Sequence, residues 1–152
     1  MKRVAATCAC VLLIGATAGC AEDRNDSGGP QTPHGAAPAG GEVVNTTLRE
    51  WLMTADVSKV RAGEVKFVSA NVGTIVHELV IIRTDIPDGQ IPIEGTKFNE
   101  EAPGVSSPGE ISEFGADLIK EAVVTLKPGQ YQLVRNIETH YQRGMHIPFV
   151  VV

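Results

Sequence analysis

From Val43 onward, apolar and polar residues follow the two-residue period of β-strands. Val43 to Thr54 and Glu64 to Asn71 carry this pattern, and Arg61-Ala62-Gly63 is the predicted turn between them. Ile75 to Arg83 (IVHELVIIR) is apolar on both faces, which predicts a strand inside a sandwich, not on its rim. His77 should share a buried face with Ile75, Leu79 and Ile81. Asp85 to Gly109 is crowded with Pro and Gly and reads as a long loop with at most short strands. Glu121 to Leu126 and Tyr131 to Asn136 are strands joined by the Pro-Gly turn Lys127-Pro128-Gly129, and Ile147 to Val152 (IPFVVV) closes the chain as a buried strand. Only Ala55 to Val60 and Glu113 to Ile119 could be helical, and both are short. About seven strands with regular turn signals predict an all-β sandwich.

The first 42 residues have a different texture. Lys2 and Arg3 precede the short apolar run Val4 to Ile14 and a small-residue stretch to Gly19, the pattern of a secretory signal. Two cleavage readings stand. Ala16-Thr17-Ala18 fits an A-x-A site releasing a soluble protein, whereas Thr17-Ala18-Gly19-Cys20 resembles a bacterial lipobox in which Cys20 is lipidated. The second is preferred because it accounts for Cys20, otherwise a lone thiol in an oxidising compartment. Residues 20–42 are polar and rich in Gly, Pro and Ala, a tether able to span roughly 25 Å. The expected plan is a leader over 1–19, a tether over 20–42 and one domain over 43–152. The protein is expected to be exported and monomeric, either periplasmic or held by its lipid on the outer face of the cell membrane.

Charge and cysteine count narrow the chemistry. Loss of Lys2 and Arg3 takes the formal charge from −5 to −7, which argues against a nucleic-acid partner. The three cysteines, Cys8, Cys10 and Cys20, all lie in or beside the leader, so the domain has no disulfide and no thiolate. No Ser-His-Asp spacing, catalytic carboxylate pair or phosphate loop is present, and no enzymatic activity is expected; Glu100-Glu101 reads as a solvated acidic pair.

Four histidines remain. His34 falls in the tether and reads as solvated. His77 alone reads first as a hydrogen-bonded core residue, and His140 and Met145 as ordinary loop residues. Together, however, Asn71-Val72-Gly73 with His77-Glu78, Leu126 to Tyr131, and Asn136-Ile137 through His140-Tyr141 to Gly144-Met145 resemble the cupredoxins, over most of 43–152. The resemblance is closest to the sulfocyanin-like and plastocyanin-like bacterial members, and implies a Greek-key β-sandwich or barrel. It also implies a copper site in which His77 and His140 are the nitrogen ligands and Met145 the weak axial thioether. At the position of the family's cysteine ligand stands Arg135, so the thiolate that makes such a site blue is missing.

A guanidinium cannot ligate copper. About 4 Å from the ion it would cost roughly 4 kcal/mol per unit of metal charge at an effective dielectric of 20. Arg135 is therefore expected to turn its head outward along the strand, to pair with Glu138 or Glu78, or, in a metal-free scaffold, to fill the metal position against a carboxylate. His146 could offer a replacement nitrogen, but would point the other way if the last strand has begun. Three functions follow. The first is Cu(I) trafficking, storage or sequestration through a thiolate-free His77, His140 and Met145 site, with a copper donor, acceptor or redox protein as partner. The second is a copper-free scaffold for protein contact at the cell surface. A blue-copper electron carrier is the least favoured.

Overall fold

The computed structural model describes residues 41–152, and the expected leader, Cys20, His34 and nearly all of the expected tether lie outside them. Eleven strands form the described chain: β1 (Glu42–Arg49), β2 (Leu52–Ala55), β3 (Lys59–Val60), β4 (Gly63–Asn71), β5 (His77–Arg83), β6 (Ile93–Glu94), β7 (Lys97–Phe98), β8 (Ser106–Phe114), β9 (Ile119–Leu126), β10 (Gly129–Val134) and β11 (His146–Val151). One sheet has the order β2-β1-β4-β9, the other β3-β11-β10-β5-β8, and β6-β7 is a separate hairpin. The first described strand begins at Glu42.

Alternation drives the packing. Val44 and Leu48 of β1, and Val65 and Phe67 of β4, face Leu79, Ile81, Leu133 and Phe149 of the other sheet in one dry core. Interior placement of β5 is explained by its second apolar face. Val80 and Ile82, with Val134 and Tyr141, pack under Ile91 and Phe98 of the long segment between β5 and β8. That segment thus covers the outside of a sheet, which is why its proline-rich chain carries buried apolar residues at all.

Several expectations are corrected. The stretch from Val43 to Thr54 is two strands, β1 and β2, paired antiparallel about Glu50-Trp51. Trp51 holds a φ of 60° there, which no Gly or Asn announces. Ala55 to Val60 is not helical. Asp56 accepts hydrogen bonds from Asn45 N and Nδ2 (2.9 and 2.7 Å), and Val60 crosses to pair with Val151 of the opposite sheet. Glu113 to Ile119 is not helical either, because Phe114 is drawn into the core as the end of β8 and Ile119 opens β9. Ile75 lies before β5 and is exposed, so the buried face begins at His77.

Candidate metal centre

One end of the sandwich gathers the β1–β2 turn, the β4–β5 loop, the β8–β9 turn and the β10–β11 loop. Backbone hydrogen bonds lock three of them together, from Val72 N to Leu48 O (2.9 Å), Asn71 N to Leu118 O (3.0 Å) and Asp117 N to Asn71 O (2.9 Å). Asn71 shapes the β4–β5 loop from within, its Nδ2 donating to Ile75 O and Phe114 O while its Oδ1 accepts from Gly73 N. Glu50 fastens the same loop from outside by accepting from Thr74 N, Thr74 Oγ1 and Ile75 N. Those bonds, first the one from the Thr74 amide, hold its carboxyl down at about 2. Gly73 is needed where these groups converge. A Cβ on it would lie 2.8 Å from Glu50 Oε2 and 3.0 Å from His77 Nε2.

His77, His140, Met145 and Arg135 are all buried at this end. The two imidazoles stand edge to face with centroids 6.4 Å apart. His140 Nδ1 donates to Glu138 O (2.7 Å) and Ile137 O (3.2 Å), which leaves Nε2 as the bare nitrogen of the neutral ring. That Nε2 and both nitrogens of His77 have no hydrogen-bond partner. The His77 pKa is pushed down to about 4, chiefly by burial and next by the Arg135 charge. Burial also lowers that of His140, with Arg135 contributing in the same direction. Trp51 stacks on His140 at 4.7 Å, and the Arg143 guanidinium lies 4.2 Å over the Trp51 ring. This three-layer stack explains how Trp51 holds its left-handed conformation.

Arg135 does not turn outward. It is 1 % exposed, the largest fully buried side chain of the domain. Its backbone N donates to Met145 O (3.0 Å), its Nη2 donates to Val76 O, and its Nη1 lies 3.8 Å from Met145 Sδ. Among the described residues no carboxylate oxygen comes within 4 Å of it, so the expected pairing with Glu138 or Glu78 is absent. Glu78 instead accepts from Asn136 N at 2.9 Å, and burial raises its pKa. His146 opens β11 and points away from the site, its Nδ1 2.9 Å from Asp88 Oδ2 and its ring tilted against Tyr141. Glu100, expected in solvent, accepts from Asn136 Nδ2 at 2.7 Å and ties the long loop to the β10–β11 corner.

The donor set fits a copper ion only if Arg135 leaves. With the guanidinium against the Met145 sulfur and beside both imidazoles, an incoming cation meets a fixed positive charge of the kind that repels it by several kcal/mol. As arranged, these residues do not fit the metal.

No family model matches this chain, and no curated protein matches it. Solved structures do. A reduced auracyanin from Roseiflexus castenholzii superposes with a TM-score of 0.54 at 17 % identity, covering 74 % of this chain and 99 % of that one. Auracyanin A of Chloroflexus aurantiacus, described as a "blue" copper protein, gives 0.52 at 15 %, covering 74 % and 100 %. Rusticyanin of Thiobacillus ferrooxidans gives 0.52 at 14 %, covering 74 % and 79 %. The fold is a cupredoxin β-sandwich, and at these identities the likeness extends to the fold alone.

Proposed function

We propose that this chain is a copper-independent cupredoxin scaffold, exported and held at the cell surface by a lipid on Cys20, that serves protein–protein contact and not catalysis. The observation that carries this reading is the buried Arg135 guanidinium, held by Val76 O and lying against Met145 Sδ among the two histidines. It supplies a cation from the chain itself where the resemblance puts a metal. Support for a contact role comes from the surface around it. Trp51, Leu52, Val72, Ile75, Val76 and Leu118 expose apolar surface on the turns that the hydrogen bonds above tie together. A monomer and no nucleic-acid partner accord with the acidic charge.

A second reading is favoured by a separate observation. Three buried imidazole nitrogens without partners are an unusual concentration of unused donor atoms. On that reading Arg135 swings out and His77, His140 and Met145 take Cu(I), a soft set suited to copper handling. Titration of the apoprotein with Cu(I) under a competing chelator separates the two. The scaffold reading expects equal, weak uptake by the wild type and by a His77→Ala/His140→Ala variant. Clearly tighter uptake by the wild type overturns it in favour of Cu(I) handling.

A further inference from the structure

The opposite end of the sandwich carries a different kind of site. Gly63 of β4 pairs with Leu126 of β9, and Val65 pairs with Glu42 at the start of β1, so β1 begins at the same end of the sandwich as the β9–β10 turn, with β4 between β1 and β9. At this end, among β5, β8, β9 and β10, lies a pocket of about 250 Å³ lined by Arg83, Ser106, Ser107, Thr125, Lys127 and Tyr131. Two cations and three aliphatic hydroxyls face it, and no carboxylate lines it. In a chain of net charge −5 this is a local reversal of sign. Among the described residues neither Arg83 nor Lys127 lies within 4 Å of a carboxylate oxygen. Asp85 sits beyond Arg83, in the adjoining cleft of about 240 Å³.

The pocket is shaped before any ligand arrives. Arg83 Nη2 donates to Pro128 O at 3.3 Å, which leaves its other N–H groups free of side-chain partners. Gly129, at a φ of 154°, has no Cβ to obstruct it; one built there would lie 3.1 Å from Arg83 Nε. Tyr131 Oη donates to Lys127 O (2.8 Å) and accepts from Lys127 N (3.2 Å), fixing the backbone that carries the lysine. The Ser106 and Ser107 hydroxyls make only long internal bonds, 3.5 and 3.4 Å, and can turn toward a better acceptor. A guanidinium fork, an ammonium and rotatable hydroxyls match the geometry and charge of a tetrahedral oxyanion.

We propose that this pocket binds a phosphate-class oxyanion, either free or as the headgroup of an anionic lipid. The site is independent of what occupies the histidine end.

The test uses the full chain carrying Cys20→Ser, so that no acyl group contributes. Inorganic phosphate is titrated at low ionic strength while the amide resonances of Ser106, Ser107 and Lys127 are followed. Saturable shifts confined to this pocket are expected, with affinity reduced at least about tenfold in Arg83→Gln/Lys127→Gln and retained in Lys127→Arg. The melting temperature of each variant verifies folding. Absence of saturation, or equal shifts in the double variant, overturns the site. Sedimentation with vesicles then assigns the source. Binding to phosphatidylglycerol-containing vesicles but not to pure phosphatidylcholine, abolished in the double variant, identifies the lipid headgroup. Phosphate shifts without vesicle binding identify a free anion.

Discussion

Replacing Arg135 with leucine removes the buried charge while adding no ligand. Its guanidinium lies 3.8 Å from the Met145 sulfur, so a copper ion held by that sulfur and the imidazoles would sit within a few ångströms of it. At about 4 Å and an effective dielectric of 20, the repulsion is roughly 4 kcal/mol for Cu(I) and twice that for Cu(II). That corresponds to about three and six decades of affinity. Doubling the dielectric still leaves more than one decade for Cu(I). Arg135→Leu is therefore expected to raise Cu(I) affinity, measured against a competing chelator, by between tenfold and a thousandfold. Arg135→Cys should add an intense blue charge-transfer band with Cu(II), because it places a thiolate beside two imidazoles and a thioether. Equal Cu(I) affinity in wild type and Arg135→Leu would refute the claim that the guanidinium occupies the metal position. A colourless Arg135→Cys that nonetheless binds copper would show that the loop geometry differs from a blue site.

Other outcomes follow from the same geometry. His77 is held neutral down to about 4, against an ordinary 6.5 in the unfolded chain, so between those values the unfolded chain binds more protons. Stability is then fully present above 6.5 and lost as pH falls toward 4, and the melting temperature should show that slope; His77→Gln should flatten it, and an unchanged slope would count against a neutral buried His77. Trp51→Ala removes the layer between His140 and Arg143 and should cost about 1–2 kcal/mol in denaturant unfolding, whereas no loss would mean the stack contributes nothing. Gly73→Ala drives a methyl against Glu50 and His77, with an expected loss of about 1–3 kcal/mol; a fully stable variant would show that the loop gives way easily. Asn136→Ala leaves the Phe98 amide and carbonyl without partners and should destabilise by about 1–3 kcal/mol, loosening the long loop first in hydrogen exchange.

Much of this was readable in the residues. The interior position of β5 followed from its two apolar faces and the β9–β10 turn from Pro128-Gly129, while the grouping of His77, Arg135, His140 and Met145 was implied by the resemblance to the cupredoxins, not by spacing alone. What escaped was set by contacts distant in sequence. Nothing near Glu50-Trp51 announces a turn, because Trp51 is held in its conformation by His140 and Arg143, some ninety residues on. Two short stretches with helical potential became strand ends because Val60 and Phe114 were captured by the core. The direction of Arg135 was open, since a long stem allows either choice; the Val76 carbonyl and Met145 sulfur waiting inside decide it. Glu100 looked solvated because its partner, Asn136, is brought to it only by the fold.

The arginine at the heart of the site has one further consequence. A bound ion can depart when supply falls, and it changes valence when the surroundings become oxidising or reducing. A guanidinium does neither, since its charge is permanent at any physiological pH and potential. If Arg135 keeps the place of the metal, as proposed above, the rim formed by Trp51, Val72 and Leu118 would rest on a foundation that does not change with copper supply. On the scaffold reading proposed above, a partner that reads this rim would receive a constant signal, set at synthesis and indifferent to the chemistry around it.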